Sequence, residues 1–397
     1  GLGDVYKRQV MNTRCLSSTA VAADLLLLGA ASPALAQGWH CAGTANFAKQ
    51  ACDLEAEADH AEAYAICRNL PTNRERVDCR EEADEELQEA LRSGDESCRA
   101  QRMARADVCR LFGQERYDPS WEPEDFVDPD TIGDTVAPNP WLSLVPGTTQ
   151  IIRAGEEGEE WVIQYVTTDT EEVDGVTCRT VVDLEFAPDE PDDEDDLNRA
   201  GGFDRPNDIV IDDVELEIVE YTDDWYAQDL EGNVWYCGEL SREFEDGDIA
   251  SLDGSFKAGE DGDKPGIVML SNPMAGEAYR QEWSVNNAED YAQVVITAGG
   301  PEVEVEGFEC NGSCLVTDEY DPLEPGTLER KYYLEQIGFV LAEDVVDPGE
   351  EGEREELICF GETLEDCVTD QDILDELCEI APDAFCDDDD DDTPPAF

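Results

Sequence analysis

The sequence predicts an α+β protein in which a small, disulfide-linked three-helix module precedes an antiparallel β-rich domain, built as a curved sheet, a roll or a barrel. Residues 37–116 are rich in Ala, Glu, Arg and Leu and poor in β-branched residues, which favours helices. From residue 161 the apolar period changes to two over about twelve short runs without intervening helices, which indicates antiparallel strands. Of 15 cysteines, 14 follow residue 36, an even number that is typical of disulfide-bonded exported chains.

The N-terminal 36 residues are expected to be absent from the mature protein. The first nine, GLGDVYKRQ, resemble translated sequencing-adapter read-through, as at the edges of metagenomic assemblies. A short basic start at Met11–Arg14, an apolar stretch and a small-residue site ending at Ala36 then form a signal peptide, although Asp24 interrupts the apolar stretch. We therefore expect a periplasmic or secreted protein.

The helical module, residues 37–116, is predicted to hold three antiparallel helices. Phe47, Leu54 and Ile66 lie on one predicted apolar stripe of the first helix. Breaks follow at Pro71 and at Gly94.

Six cysteines of this module are predicted to form bridges. Cys67 and Cys79 lie symmetrically about the turn at Pro71, which favours a bridge between them. The other four, Cys41, Cys52, Cys98 and Cys109, leave three pairings open. Without a CxxC pair, and with only His40 and His60 nearby, a zinc site is disfavoured.

The β-domain is predicted over residues 117–346, and an acidic tail over residues 347–397. The domain begins with a Pro- and Asp-rich linker at 117–140 and contains an acidic insertion near 188–207 that we expect to be disordered. The tail carries C-x7-C twice, at Cys359/Cys367 and Cys378/Cys386. Its charge density predicts that it is largely disordered, with a short helix near 370–380.

The segment DWYAQDLEGNVWYCGE (224–239) is predicted to be a hairpin with a type I turn at 229–232. The expected pairs are Gln228–Val234, Ala227–Trp235, Tyr226–Tyr236 and Trp225–Cys237. Both faces are then aromatic, which indicates a core hairpin covered on both sides, with the excess acids coating the outside of the domain. The alternative is a concave groove that binds a ligand through Trp225, Tyr226, Trp235 and Tyr236. Cys178 is a candidate bridge partner of Cys237 if their strands are neighbours.

Charge excludes two classes of partner. The net charge is −75, with −6 in residues 41–116 and −70 in residues 117–397. Neither nucleic acid nor an anionic membrane is expected to bind, because both require a basic surface. The acidity fits residence in high salt or loading with divalent cations. Arg outnumbers Lys 20 to 5, which favours adaptation to salt.

Calcium is the one candidate cofactor, and two turns are its candidate sites. One is the Gly-rich loop with Glu260, Asp261 and Asp263, which Lys264 would partly neutralise. The other is the hairpin turn, whose candidate ligands are Asp229, Glu231 and Asn233. Neither has the EF-hand spacing, and the alternative for both is a solvated turn.

Catalytic patterns are scarce in the sequence. The β-domain has no histidine, and the chain has no GxSxG, P-loop or dinucleotide fingerprint. Asp224, Glu239 and Glu282 lie beside aromatic residues and could support glycoside hydrolysis. The leading prediction is a non-enzymatic exported protein whose β-domain binds a small ligand, a cation or an envelope partner. The alternatives are a carboxylate-based polysaccharide hydrolase and a calcium-dependent structural envelope protein.

Five segments resemble a family of exported bacterial proteins of unknown function: RADVCRLFGQERYDP, DWYAQDLEGNVWYCGE, GSFKAGEDGDKPGIVM, NPMAGEAYRQEW and YDPLEPGTLERKYYLEQIGFV. The resemblance spans roughly residues 100 to 345. It implies one β-domain that ends with GFVLAE (338–343), and it implies no known activity. The chain departs from the family in the 188–207 insertion, in its acidic tail, and at Cys237, where an aromatic residue is more usual.

Overall fold

The protein is an α+β molecule in which three helices precede a nearly closed, barrel-like antiparallel sheet. A computed structural model describes residues 39–155, 158–188, 208–211, 214–245, 247–300, 303–305, 307–346 and 352–386. The predicted signal peptide, nearly all of the 188–207 insertion and the last eleven residues lie outside this range. No helix in the described part is long and apolar enough to cross a membrane.

The helical module consists of α1 (His40–Asn69), α2 (Asn73–Gln88), which continues into a π-helical turn at Glu89–Ser93, and α3 (Cys98–Leu111). Thr72 and Glu75 form a capping box at the start of α2. Three disulfides hold the helices together: Cys41–Cys109, Cys52–Cys98 and Cys67–Cys79, the last being the pair that the spacing favours.

The predicted apolar stripe of α1 is not buried. Phe47 is 74% exposed and Leu54 58% exposed, and the buried positions of the helix are Ala45, Ala48 and Cys67. The stripe prediction is wrong because small residues and bridges, not large apolar side chains, form the helix contacts.

The strands are, in chain order, β1 (Thr149–Ala154), β2 (Glu160–Val173), β3 (Val176–Pro188), β4 (Asp208–Ile211), β5 (Val214–Gln228), β6 (Val234–Glu245), β7 (Asp248–Ser251), β8 (Phe256–Lys257), β9 (Lys264–Met269), β10 (Ala278–Arg280), β11 (Glu282–Trp283), β12 (Tyr291–Ile296), β13 (Glu304–Val305), β14 (Phe308–Glu309), β15 (Leu315–Tyr320), β16 (Glu329–Leu334), β17 (Gly338–Asp344) and β18 (Arg354–Gly361).

One sheet runs in the order β10-β12-β15-β16-β17-β18-β1-β2-β3-β5-β6-β9-β11. Its two ends, β10 and β11, are consecutive in the chain, separated only by Gln281. Residues 278–280 pair with β12, and residues 282–283 pair with β9. The sheet therefore closes on itself through residues 278–283, which we call the seam.

One end of the interior is apolar. A buried cluster takes side chains from strands around the sheet, including Val181 (β3), Val234 (β6), Tyr279 (β10) and Leu315 (β15). The 117–140 linker and the residues that follow it up to β1 fill this end, and Leu144 is almost fully buried there.

The C-terminal residues cover the outer face of the sheet. Helices α4 (Leu364–Cys367), α5 (Gln371–Ile380) and α6 (Pro382–Phe385) pack on Leu184, Phe186 and neighbouring side chains of β1, β2, β3 and β5. Disulfides Cys359–Cys367 and Cys378–Cys386 hold this region. The prediction of a largely disordered tail is wrong for residues 354–386, because β18 pairs with β1 and β17 and α5 buries Leu377. The sheet likewise extends beyond GFVLAE.

Candidate functional site

The 224–239 segment is the predicted hairpin between β5 and β6. Tyr226 pairs with Tyr236, as predicted, and so do Gln228 with Val234 and Ala227 with Trp235. Trp225 pairs with Gly238 instead of Cys237, because a bulge interrupts the ladder there. Gly238 has φ +142°, and a Cβ at this position would lie 2.3 Å from the Phe256 carbonyl oxygen. The bulge therefore follows from the close approach of β8.

The tryptophan face of the hairpin is covered by the protein itself. Trp235 packs against Trp121 and Phe126 of the linker, at centroid distances of 5.9 and 6.1 Å. Lys257 lies over the ring of Trp225, and Cys237 is bonded to Cys178 beneath. Trp225 and Trp235 are half-buried beneath these contacts, and ligand binding by this face stays a prediction.

The tyrosine face points into the sheet interior. Tyr226 and Tyr236 stack at 4.8 Å with an interplanar angle of 15°, and Phe256 meets Tyr236 edge-on. The hydroxyl of Tyr236 donates a hydrogen bond to Asp224. Of the predicted aromatic site, this pair is the part that adjoins polar groups.

Six acidic side chains act on these tyrosines or on one another, and we call them the inner acidic cluster: Asp183, Asp224, Glu239, Glu282, Asp290 and Asp321. On β3, alternation puts Asp183 on the same face as Val181, which belongs to the interior apolar cluster. Val181 pairs with Asp224, and Asp224 pairs with Glu239. Acids therefore line the polar end of the interior.

Asp224 and Glu239 form a directly opposed pair, in which Asp224 is buried and Glu239 is half-buried. Asp224 is 7% exposed. Burial, followed by the charge of Glu239, raises the pKa of Asp224 well above its usual range. Burial raises the pKa of Glu239 to about 7. Like charges directly opposite each other destabilise a sheet, so the pair favours holding protons.

Asp183 adds an oxygen without a partner. Gln164 donates to its Oδ2 at 2.7 Å, whereas Oδ1 is inaccessible and accepts no hydrogen bond. Burial, followed by the charge of Asp224, raises the pKa of Asp183 well above its usual range. On the same strand, burial raises the pKa of Glu185 to about 8.

Glu282 lies in the seam, and Asp290 and Asp321 act on it. The main-chain N–H groups of Gln281 and Glu282 both donate to the Asp290 carbonyl, at 2.8 and 3.2 Å. Burial and then the charge of Asp290 raise the pKa of Glu282, with Glu239 and Asp224 adding to the shift. Burial also raises the pKa values of Asp290 and of Asp321, the latter to about 6.

Lys331 on β16 acts on Asp290 of the cluster, but its ammonium group is engaged by other acids. Its Nζ lies 3.2 Å from Glu319 Oε2 and 2.9 Å from Glu329 Oε2. Tyr333 donates to Glu319 as well, at 3.3 Å. Glu319 and Glu329 therefore form ion pairs with Lys331, and Lys331 does not neutralise most of the inner acidic cluster.

The helical module clamps the seam from outside. Arg105 of α3 makes a bidentate ion pair with Glu289, both N–O distances being 2.7 Å. Arg280 of the seam lies between the rings of Phe112 and Tyr117, at 5.1 and 5.2 Å. The module is thus fixed to the place where the sheet closes.

The two predicted calcium turns have different structures. In the hairpin turn, Asp229 is 7% exposed and accepts hydrogen bonds from Asn233 N, Asn233 Nδ2 and Trp235 Nε1, each at 2.8 Å. Glu231, Glu260 and Asp261 are exposed, and Asp263 is half-buried. Within the described residues, no three His, Cys, Asp or Glu side chains surround a common point that could hold a metal ion. Calcium binding at these turns stays a prediction.

Sequence reasoning identified Asp224, Glu239 and Glu282 as a possible carboxylate group and missed Asp183, Asp290 and Asp321. The sequence analysis expected the excess acids to coat the outside of the domain and did not use the alternation in VVDLEF (181–186). The α4–α6 helices cover the other face of that strand, and the acids face inward.

Two solved structures resemble the chain. One, from Bacteroides fragilis NCTC 9343, is described as exported with a YmcC-like fold; it is 14% identical, covers 54% of this chain and 96% of its own, and has a TM-score of 0.27. The other, from Parabacteroides distasonis ATCC 8503, is described as a lipoprotein, with 10% identity, coverages of 57% and 100%, and a TM-score of 0.28. Scores this low assign no function to the chain. No protein-family model and no curated protein matches it.

Proposed function

We propose that this is an exported, non-enzymatic protein that binds a positively charged organic ligand, such as an ammonium group, inside its sheet. No three carboxylates of the described residues surround a common point for a metal ion, which favours an organic cation over calcium. Seven disulfides support export, because such bridges persist in oxidising compartments. The bridges include Cys310–Cys314, which closes a short loop.

The inner acidic cluster is the observation that carries the proposal. Burying carboxylates is costly unless they are protonated or paired with a cation. The cluster gathers acids from β3, β5, β6 and the seam, and the nearby Lys331 is held by Glu319 and Glu329. A bound cation would neutralise these acids where they are ionised.

A cation suits the site better than a polysaccharide does. Asp224, Glu239 and Glu282 do lie together, as the hydrolase alternative requires. Asp224, however, is 7% exposed and accepts a hydrogen bond from Tyr236, so it does not face solvent as a carboxylate beside a bound sugar would. Glycosidases place both carboxylates on either side of a bound glycosidic bond.

Thermal melting tests the proposal in three solutions of equal ionic strength at pH 8: NaCl, CaCl2 and spermidine trichloride. A ligand at 100 times its Kd stabilises the fold by about 2.7 kcal/mol, so the binding cation should raise Tm beyond the NaCl value. Spermidine is the probe for an organic cation, and calcium tests the metal-ion alternative that the carboxylate geometry disfavours. Equal melting temperatures in all three solutions would contradict the proposal and favour simple charge screening.

Two paired variants locate the effect. Glu239→Gln with Glu282→Gln should abolish the extra shift, because it removes two charges of the cluster. Glu260→Gln with Asp261→Asn should retain it, because those acids lie in the exposed loop. If only the loop variant loses a calcium shift, the loop prediction is favoured instead. Polysaccharide hydrolysis lost in a folded cluster variant would favour the hydrolase.

A further inference from the structure

We propose that Asn311 is an acceptor of an N-linked oligosaccharide, attached at the folded loop that the Cys310–Cys314 disulfide closes. Asn311-Gly312-Ser313 is an Asn-x-Ser sequence in which x is not proline, the pattern of an N-glycosylation acceptor. It is the single sequence of this kind in the chain. The inference goes beyond cation binding and shares with the proposed function only the export of the chain, because this modification belongs to surface loops of exported proteins.

Asn311 lies at the tip of a tight turn between β14 and β15. The Ser313 N–H donates to the Cys310 carbonyl oxygen at 2.6 Å, and Asn311 and Gly312 between them have φ values of +42° and +77°. Asparagine and glycine tolerate this left-handed region better than other residues do. The Asn311 side chain is exposed at the tip, as an acceptor must be.

The base of the turn is fixed, so a bulky group on Asn311 displaces no buried contact. Cys310 and Cys314 are bonded to each other and are only 1% and 3% exposed. Both belong to an apolar cluster that also contains Val305 of β13 and Val316 of β15. The loop therefore presents the asparagine from a base that stays packed while the tip is modified.

The segment beside the turn leaves room for such a group. The Gly299 N–H donates to the Gly312 carbonyl oxygen at 2.7 Å. The atoms nearest to a Cβ built on Gly312 are the Gly299 Cα and the Gly300 carbonyl oxygen, each 3.7 Å away. Neither of these glycines has a side chain that could cover the turn. This neighbour is backbone alone, which suits attachment of an oligosaccharide.

The amide nitrogen of Asn311 is held by an exposed acid. Its Nδ2 donates to Glu309 Oε2 at 2.9 Å, and both side chains are exposed. A hydrogen bond between exposed groups exchanges for hydrogen bonds to water at little net cost. Nδ2 is therefore able to leave Glu309 and react.

The transfer is balanced without an oxidant or a reductant. The donor is an oligosaccharide linked to a lipid through pyrophosphate. The bond between the anomeric carbon and the pyrophosphate oxygen breaks, and a bond forms between that carbon and Asn311 Nδ2. The lipid pyrophosphate leaves with the electron pair, and the amide gives up one proton.

Transfer to the purified protein in vitro tests the proposal. The full chain without its predicted signal peptide, folded and with its disulfides formed, is incubated with a single-subunit oligosaccharyltransferase and its lipid-linked donor. An unstructured Asn-Gly-Ser peptide in the same reaction shows that the enzyme is active. Peptide mapping by mass spectrometry should show that the peptide containing Asn311 gains the mass of the transferred sugars. Peptides that contain the other asparagines should not change.

Variants separate the acceptor pattern from simple exposure. Asn311→Gln and Ser313→Ala should each abolish the mass gain, whereas Ser313→Thr should retain it, because threonine keeps the hydroxyl group that the pattern requires. Asn272→Gln is the matched control and should be modified as the wild type is. Asn272 is exposed but lies in Asn-Pro-Met, which lacks the pattern.

Three results would overturn the proposal. The first is no mass gain in the folded wild type while the control peptide is modified. The second is modification of Ser313→Ala to the wild-type extent. The third is modification only after the Cys310–Cys314 disulfide is reduced, since the folded loop would then not be the acceptor. The reaction measures mass on purified protein, so its outcome is independent of the melting test for cation binding.

Discussion

Arg105 makes the contact that joins the helical module to the sheet. Its guanidinium is 3% exposed, forms two bonds to Glu289 and a third, of 2.8 Å, to Asn286 Oδ1. Its Nη1 has no hydrogen-bond partner. Removing one member of a buried ion pair lowers the free energy of unfolding strongly, because the other charge is left buried and unpaired.

Arg105→Ala is therefore expected to destabilise the fold by about 3–5 kcal/mol. Urea unfolding measures this. Arg102→Ala is the matched control, because Arg102 lies on the same helix, is exposed, and bonds only Asn46 in the described contacts. A double-mutant cycle with Glu289→Ala should show strong coupling. Equal losses for the Arg105 and Arg102 variants would mean that the docking contact is not stabilising.

At the scale of elements, the hairpin shows which features local sequence determines. Three of its four predicted pairs are present, because the 229–232 turn fixes the register nearest to it. The fourth predicted pair is wrong because β8 approaches β6 at Gly238. Rules for pairing within a hairpin do not include this contact, because β8 lies outside the hairpin.

The site was only partly predictable for a related reason. Proximity in sequence to aromatic residues identified Asp224 and Glu239, which lie in the same hairpin. Asp183 lies on a strand with alternating acids, a pattern that normally faces water. Asp183 instead faces the interior, because α4–α6 cover the opposite side of its strand. The interior itself forms only when the sheet closes through residues 278–283, and that pairing joins residues far apart in the sequence.

Gly266 on β9 provides a prediction about the closure of the sheet. A Cβ there would lie 2.1 Å from the Gln281 carbonyl oxygen in the seam, so this strand approaches the seam more closely than any side chain permits. Gly266→Ala should cost at least about 1–3 kcal/mol, as overpacking does, when measured by urea unfolding.

Gly43→Ala is the control for that substitution. Gly43 lies in α1 with nothing within 4 Å of its Cβ position, so alanine there should stabilise the helix by about 0.5–1 kcal/mol. Opposite signs for the two variants are expected. A neutral Gly266→Ala would show that the seam can move away without loss, which would contradict tight closure.

At the scale of the whole molecule, two populations of acid respond differently to salt. Exposed acids of a chain with a net charge of −75 repel one another through solvent, and about 1 M salt screens them over roughly 3 Å. The enclosed acids of the inner cluster are screened much less. Salt should therefore raise stability generally without removing effects that arise inside the sheet.

Stability should consequently fall as pH rises from about 5 to 8, the reverse of the usual behaviour of carboxylates. Burial raises the folded-state pKa values of Asp321, Glu239 and Glu185 to about 6, 7 and 8, above the ordinary values of these side chains. Their contribution is complete below the unfolded pKa and is lost as pH passes through the folded values. Exposed Asp84 and Asp118 have lowered pKa values and act oppositely, but with little weight because solvent screens them.

Urea unfolding across this pH range, in 0.1 M and in 1 M NaCl, measures the effect. The decline should persist at 1 M NaCl, because its source is enclosed, and it should flatten in Asp224→Asn with Glu239→Gln. The exposed pair Glu260→Gln with Asp261→Asn should leave the slope unchanged. A slope that disappears in 1 M NaCl would assign the acidity of this protein to its surface alone, and a stability that rises with pH would mean that the inner carboxylates are already ionised and paired in the folded state.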